Sequence, residues 1–496
     1  MAERFENLIA GNWEFPEANP PIESLNPADT TDVVGLVPES SPEDIDRAVK
    51  SAREAFSSWR LVPPPKRAEI IFRAAELLLK NKQSLGELVT REMGKVLKEG
   101  LGDVQEAIDM AYYMAGEGRR MAGETVPSEL PNKDCKSIRV PIGVFALITP
   151  WNFPIAIPAW KILPALVAGN TVVFKPSSYT PVCATRFVEI LMEAGIPAGV
   201  LNLVHGRGET TGKYLAEHPL VDGVSFTGST KVGEAIIRSC AGIGKEVSCE
   251  MGGKNPIIIM DDADLELALE GSLWAAFGTT GQRCTAASRL IVHRRVYDTF
   301  LKEFTARAET MRIGDGLKED TDMGPLINEA QLERALGYVK IGTEEGATLI
   351  TGGRRLTGGS FDRGYFMEPT IFTDVTPSMR IAREEIFGPV VALFRADSFE
   401  EAIELANHTD YGLSSAIYTR DVNKTALAER ELNSGLVYIN APTIGAEIQL
   451  PFGGIKKSGS GHKEAGGMGG AIDMFTRIKV IYRDFSGRLQ KAQIEE

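Results

Sequence analysis

A cysteine that follows a glycine-rich turn and an arginine is a candidate nucleophile. Cys284 ends the run Gly278-Thr279-Thr280-Gly281-Gln282-Arg283-Cys284. Accessible amides in such a turn, and the adjacent guanidinium, favour the thiolate, which is the reactive form. A lone cysteine is as readily an inert buried side chain, so this run leaves both readings open. A second segment, Glu250-Met251-Gly252-Gly253-Lys254-Asn255-Pro256, puts a carboxylate at the end of a β-rich run, followed by glycines that permit close approach of a ligand. Such a glutamate is either a general base toward water or a thiol, or an exposed loop carboxylate. A third, Thr149-Pro150-Trp151-Asn152-Phe153-Pro154, holds an asparagine between aromatics and prolines. Its amide suits either an oxyanion hole, together with the nucleophile's backbone N–H, or an Asx turn.

Elements must bring these three together. From residue 139 the texture is short apolar runs alternating with helices: 142–148, 170–174, a helix over 180–193, a strand over 200–204, a helix over 212–217 and a strand over 221–226. That alternation predicts parallel strands with right-handed crossovers, an open α/β sheet of the dinucleotide-binding kind. Such sheets put their sites at the carboxyl ends of strands. A second α/β cycle starts near Asn255, with helices over 264–278, 297–311, 329–344 and 398–407, and strands over 289–293, 348–351, 390–395 and 415–419. The first hundred residues read mainly as helix, beginning at the Ser41-Pro42-Glu43-Asp44 cap. An extended piece over 474–484 follows the glycine-rich stretch 451–470 and is expected to pair across a subunit interface.

The whole chain narrows the function classes. Its 496 residues suit two or three domains. A net charge of -13 argues against a nucleic-acid surface, which needs a basic stripe, and against an anionic membrane. The apolar region 142–174 is broken by Pro150, Pro154, Pro158 and Pro164, which would interrupt a spanning helix. The N-terminus carries Glu3, Arg4 and Glu6 where a signal peptide would be apolar, so a cytoplasmic location is expected. Five cysteines without CxxC spacing, and five scattered histidines, suggest neither a disulfide framework nor a metal site.

TPWNFP at Thr149, KPSS at Lys175, FTGST at Phe226, EMGGKNP, GQRC, EEIFGPV at Glu384 and PFGGIKKSG at Pro451 occur in one order and spacing. Together they make the chain resemble the aldehyde dehydrogenase superfamily almost end to end. The resemblance implies a Rossmann-type cofactor domain (residues 1–120 and 141–252), an α/β catalytic domain (253–446) and a small β oligomerisation extension (121–140 and 471–496). It implies Cys284 as nucleophile, Glu250 as base 34 residues before it, and Asn152 in the oxyanion hole, with Lys161 and Glu464 relaying protons near the base. Attack on an aldehyde would give a thiohemiacetal, oxidation a thioester, and water activated by Glu250 the acid. A homodimer or homotetramer is the implied assembly.

On the cofactor side the resemblance implies Thr149, Pro150, Trp151, Lys175, Ser178, Gly208, Gly228, Ser229, Gly233, Met251, Glu385 and Phe387. Lys175 would contact the adenosine ribose, helix N-terminal amides after Gly228 and Ser229 the pyrophosphate, and Glu385 the nicotinamide ribose. The run Gly206 to Gly212 resembles a dinucleotide fingerprint with the wrong final spacing and is given a peripheral role near the adenine. Many NAD-specific members have glutamate three residues after the ribose lysine. Here Ser178 stands there, which removes the repulsion of a 2′-phosphate, so NAD or NADP is expected, with NADP accepted and even preferred.

Two rival readings stand beside this one. CoA-acylating semialdehyde dehydrogenases share the cysteine and usually lack the glutamate, so Glu250 favours hydrolysis. A catalytically retired structural or binding homologue is the non-enzymatic alternative, against which nucleophile, base and oxyanion residue are all intact. The substrate is left between a plain aldehyde and a carboxylate-bearing semialdehyde, with Arg283 a possible partner for the distal carboxylate.

Overall fold

Parallel strands with apolar residues on both faces must be covered by helices on both sides, and two such sheets organise the chain. The computed structural model describes residues 2–491 and 493; Met1, Ala492 and residues 494–496, which the expected first and third units include, lie outside the described residues. In the first sheet Glu246–Glu250, Gly223–Thr227, Val144–Ile148, Thr171–Lys175 and Leu201–Leu203 run parallel in that spatial order. Asn7–Ile9 and Asn12–Glu14 add antiparallel strands at the far edge. The second sheet runs Thr348–Thr351, Thr370–Thr373, Val390–Ala396, Ala287–His293, Asn255–Ile259, Ser414–Tyr418, Leu436–Ile439, with only the first strand antiparallel to its neighbour.

The carboxyl ends of the first sheet deliver Ile148 into the Thr149–Asn152 turn, Lys175, Thr227 and Glu250. The second sheet offers its amino ends: Cys284 lies in the turn just before Ala287–His293, and Glu385 and Phe387 just before Val390–Ala396. The helix Ala156–Ala168 is buried on every side, as its continuous apolar sequence requires, and carries Trp160 and Lys161 into the interior.

Two expectations need correction. The first hundred residues are mainly helical only from Pro42 onward: the chain up to Val37 forms four strands, including the hairpin Ile22–Asn26 with Asp29–Val37. Thr30, Thr31, Val33 and Val34 supply the β-branched residues of that hairpin. Helix begins at Pro42–Trp59, where Ser41 and Asp44 do form a reciprocal capping box. Two further helices follow, Pro64–Lys80 and Lys82–Met93, the second ended by Gly94 at φ +94°. The C-terminal strand also finds its partner within its own chain. Thr476–Asp484 pairs antiparallel with Lys133–Pro141 over nine positions, and Thr125–Pro127 completes the sheet. Its other edge pairs with no strand among the described residues, and Ile478, Val480 and Tyr482 are exposed.

Candidate active site

Cys284 is held by a strained turn. Thr279, Thr280 and Gly281 are all left-handed, with φ of 52°, 58° and 67°. For the two threonines this costs on the order of 1–3 kcal/mol each and must be held by the surroundings. Glu99 accepts from the Thr279 amide, Thr280 Oγ1 donates to the Gly324 carbonyl at 2.9 Å, and Gln282 Oε1 accepts from the Ile327 amide at 3.0 Å. After the turn, Asn255 Nδ2 donates to the carbonyls of Cys284 and Ala286 at 2.8 and 2.9 Å. Asn255, from the EMGGKNP segment, therefore fastens that segment to the cysteine loop.

The thiol's electrostatics run against the expectation that Arg283 and free amides favour the thiolate. Burial first, then the carboxyls of Glu385, Glu250 and Glu464, push Cys284 up to about 12. Arg283 does not relieve this, because its guanidinium is committed to Glu99 and to Thr279 Oγ1, each at 2.8 Å. A resting thiol is thus protonated and needs a base at the moment of attack.

Glu250 lies in the same cavity as the thiol. Its Oε2 accepts from the Gly454 amide at 2.9 Å, and its buried Oε1 has no partner among the described residues. Burial first, and Glu464 next, raise its carboxyl well above the usual carboxylate range. The glycine-rich segment is brought back onto this strand end: Met251 N donates to Ser458 O at 2.8 Å, and Gly453 leaves room for the Glu250 carboxyl. Lys161 Nζ bonds Glu464 Oε1 and, at 2.8 Å, Ser225 Oγ, and Thr227 Oγ1 donates to the same Glu464 oxygen at 2.8 Å. Glu464 lines the cavity, whereas Lys161 sits behind it. Asn152 uses Nδ2 to hold the Gln282 carbonyl at 3.0 Å, and its buried Oδ1 has no partner among the described residues.

Two cavities meet at Cys284. One of about 640 Å³ is lined by Pro150, Trp151, Asn152, Gly228, Ser229, Met251, Glu385 and Phe387; the other, about 580 Å³, by Glu106, Phe153, Trp160, Glu250, Arg283, Phe452 and Glu464. Ile157, Thr227, Met251 and Cys284 belong to both. In the first, Gly252 is required because a Cβ would fall on the Glu385 carboxyl, whose Oε1 accepts from Gly253 N at 3.0 Å. Trp151 meets Phe387 edge to face at 5.5 Å.

Other expected cofactor residues are neighbours of this cavity and do not line it. Gly233 packs on Met251, where a Cβ would meet the sulfur at 2.5 Å. Thr149 is buried, and its hydroxyl has no partner among the described residues. Lys175 and Ser178 lie at or after the strand Thr171–Lys175, and Gly208 after Leu201–Leu203, one and two strands from Val144–Ile148. Lys175 is buried, and burial lowers it to about 8 while Nζ donates to the Pro176 carbonyl at 2.7 Å. Within the Gly206–Gly212 run, Gly208–Gly212 forms a π-helical turn, and a Cβ on Gly212 would lie 3.5 Å from Lys175 Cδ. Several lining or bonding residues carry no local signal in the sequence: Gln331, Arg334, Glu106 and Ser225. Thr227 was within reach, since it belongs to the FTGST motif.

A nucleotide cofactor fits what is present. The larger cavity runs past the helix Thr230–Ala241, whose first turn has no side-chain cap, and past the unpartnered Asn152 Oδ1. A parallel α/β sheet with these groups at its carboxyl ends is the architecture of a dinucleotide-dependent oxidoreductase. The aldehyde dehydrogenase family model matches residues 13–481. The chain is 44% identical to the alpha-ketoglutaric semialdehyde dehydrogenase of Bacillus subtilis (strain 168), over 96% of this chain and 97% of that protein. Among solved structures, betaine aldehyde dehydrogenase from Staphylococcus aureus in complex with NAD+ superposes with a TM-score of 0.95 at 34% identity, covering 98% of this chain and 95% of that one. A 3,6-anhydro-L-galactose dehydrogenase in complex with NADP gives 0.93 at 37% identity, covering 97% and 100%. The chain belongs to the aldehyde dehydrogenase family and is an NAD(P)-dependent aldehyde dehydrogenase.

Proposed function

We propose that this enzyme oxidises a carboxylate-bearing semialdehyde to the acid through a thioester on Cys284, hydrolysed by water that Glu250 activates. The observation that carries the reading is Cys284 on the wall shared by two cavities, one suited to the cofactor and one to the aldehyde. The bound nicotinamide supplies the two-electron oxidant. In its ionised form, Glu250 takes the thiol proton as Cys284 adds to the carbonyl carbon. Asn152, with the Cys284 amide, donates to the resulting oxyanion. Glu250 releases the thiol proton and then takes one from the water attacking the thioester, with Glu464, held by Lys161 and Thr227, on the same cavity wall to receive it.

Semialdehyde use is supported by the named activity of the 44% identical relative and by Arg283 on the aldehyde cavity. Cofactor breadth is supported by Ser178, half-buried and neutral, close in sequence to Lys175. The open edge of Thr476–Asp484 with its exposed Ile478, Val480 and Tyr482 supports a homo-oligomer. The test is reduction of NAD or NADP by the purified protein with aldehydes carrying and lacking a terminal carboxylate. Turnover without CoA that favours the carboxylate series and disappears in Cys284→Ala is expected. A CoA requirement, or turnover that survives Cys284→Ala, would overturn the reading.

A further inference from the structure

We propose that Glu106 decides, through its own proton, whether the aldehyde cavity admits a substrate with a distal carboxylate. Protonated, it leaves the Arg283 edge of the cavity open to an anion; ionised, it repels one. This rests on the reading above that the cavity of about 580 Å³ takes the aldehyde.

Glu106 projects from the helix Leu97–Glu117 into the cavity wall beside Phe153, Trp160 and Arg283. No hydrogen bond to its carboxyl is formed by the described residues, and no basic group is paired with it. The charges around it are committed elsewhere. On its own helix Asp103 pairs with Lys95 at 3.1 Å, both side chains fully buried, and also accepts from the Ala156 amide at 2.7 Å. Asp109 is exposed and accepts from Gln105. Glu99, at the start of the helix, holds Arg283. From the packed elements, Tyr438 of the strand Leu436–Ile439 and, beyond it, Glu447 also act on this region. Arg283 spends Nε on Thr279 and Nη2 on Glu99, so its charge is balanced before Glu106 is counted. An ionised Glu106 therefore leaves that wall net negative. A protonated one leaves it neutral, with a carboxyl O–H able to donate to an incoming carboxylate.

The switch falls in a useful range. Burial first, and Asp103 next, raise the Glu106 carboxyl to about 7, whereas a semialdehyde carboxylate is ionised throughout neutral pH. An acid with a raised value is protonated below it and ionised above it. Acceptance of anionic aldehydes is thus highest below pH ~7 and falls above it.

The experiment is kcat/KM for glutarate semialdehyde divided by kcat/KM for pentanal, measured on the full-length enzyme from pH ~6 to ~8.5. Ionisations of Cys284 and Glu250 serve both aldehydes and cancel in the ratio. The expected result is a ratio falling by about tenfold or more with rising pH, carried by KM, with the slope abolished in Glu106→Gln and kept in Glu106→Asp. A flat ratio in the wild-type enzyme overturns the proposal, and so does an unchanged slope in Glu106→Gln. Pentanal turnover beside a flat ratio removes only the role of Glu106. Failure to oxidise either aldehyde removes the aldehyde reading itself, and this proposal with it.

Discussion

Asn152 Nδ2 donates to the backbone carbonyl of Gln282 at 3.0 Å. One N–H of the amide is thereby fixed to the peptide two residues before Cys284, and the other is left for a ligand. The turn after Val144–Ile148 and the loop before Ala287–His293 are registered by this single bond. Asn152→Ala should lower kcat by about a hundredfold to a thousandfold at saturating cofactor, the range seen when an oxyanion donor is removed. Steady-state kinetics will check this, and a wild-type kcat would show that Asn152 only braces the loop.

Thiol reactivity should climb with pH and show no neutral plateau. With Cys284 raised to about 12, its thiol form exceeds thiolate by about five powers of ten at pH 7. Both Cys284 and Glu250 are acids with raised values, so both lose their protons only as pH rises. The rate of inactivation of the cofactor-free enzyme by iodoacetamide should therefore increase steadily from pH ~6 to ~9.5. A rate already maximal at pH 7 would mean that a cation reaches the sulfur after all.

Gly281 has φ +67°, and a Cβ there would fall on the Gly388 carbonyl. Gly281→Ala must either adopt a left-handed alanine at roughly 1–2 kcal/mol or move the turn that carries Cys284. A lower Tm, by roughly 2–4 °C per kcal/mol, together with loss of aldehyde oxidation, is expected in thermal unfolding and activity assays. An unaltered Tm and rate would show the turn to be slack.

Ser178→Glu should turn cofactor selectivity toward NAD. A carboxylate at this half-buried position near Lys175 would repel a 2′-phosphate, so kcat/KM for NADP should fall by about tenfold or more with NAD far less affected. Parallel titrations of the two cofactors decide it. Equal effects on both would move the selectivity elsewhere, for example to Arg207, whose side chain is paired with Glu39 at 3.0 Å beside the Gly206–Gly212 turn.

Much of the first sheet was legible because Val144–Ile148, Thr171–Lys175 and Gly223–Thr227 are short, β-rich and separated by helix-length segments. The N-terminal strands were not. Asn7–Ile9 is three residues long and gains its stability from pairing with Leu201–Leu203 and Asn12–Glu14, contacts that no local pattern announces. The partner of Thr476–Asp484 was missed for a similar reason, since Lys133–Pro141 alternates charge and apolar residues over three hundred positions away.

Within the site, the local runs offered Cys284, Glu250 and Asn152 only as candidates, each two or three residues from a glycine or proline, and the order of the seven motifs implied their roles by resemblance. Only the tertiary structure decided their electrical state. The thiol is raised by Glu385, Glu250 and Glu464, which reach it from three distant segments, while the adjacent Arg283 is diverted to Glu99 on a helix nearly two hundred residues earlier. Desolvation and Coulomb forces act through space, so sequence adjacency does not decide which charges a buried group feels.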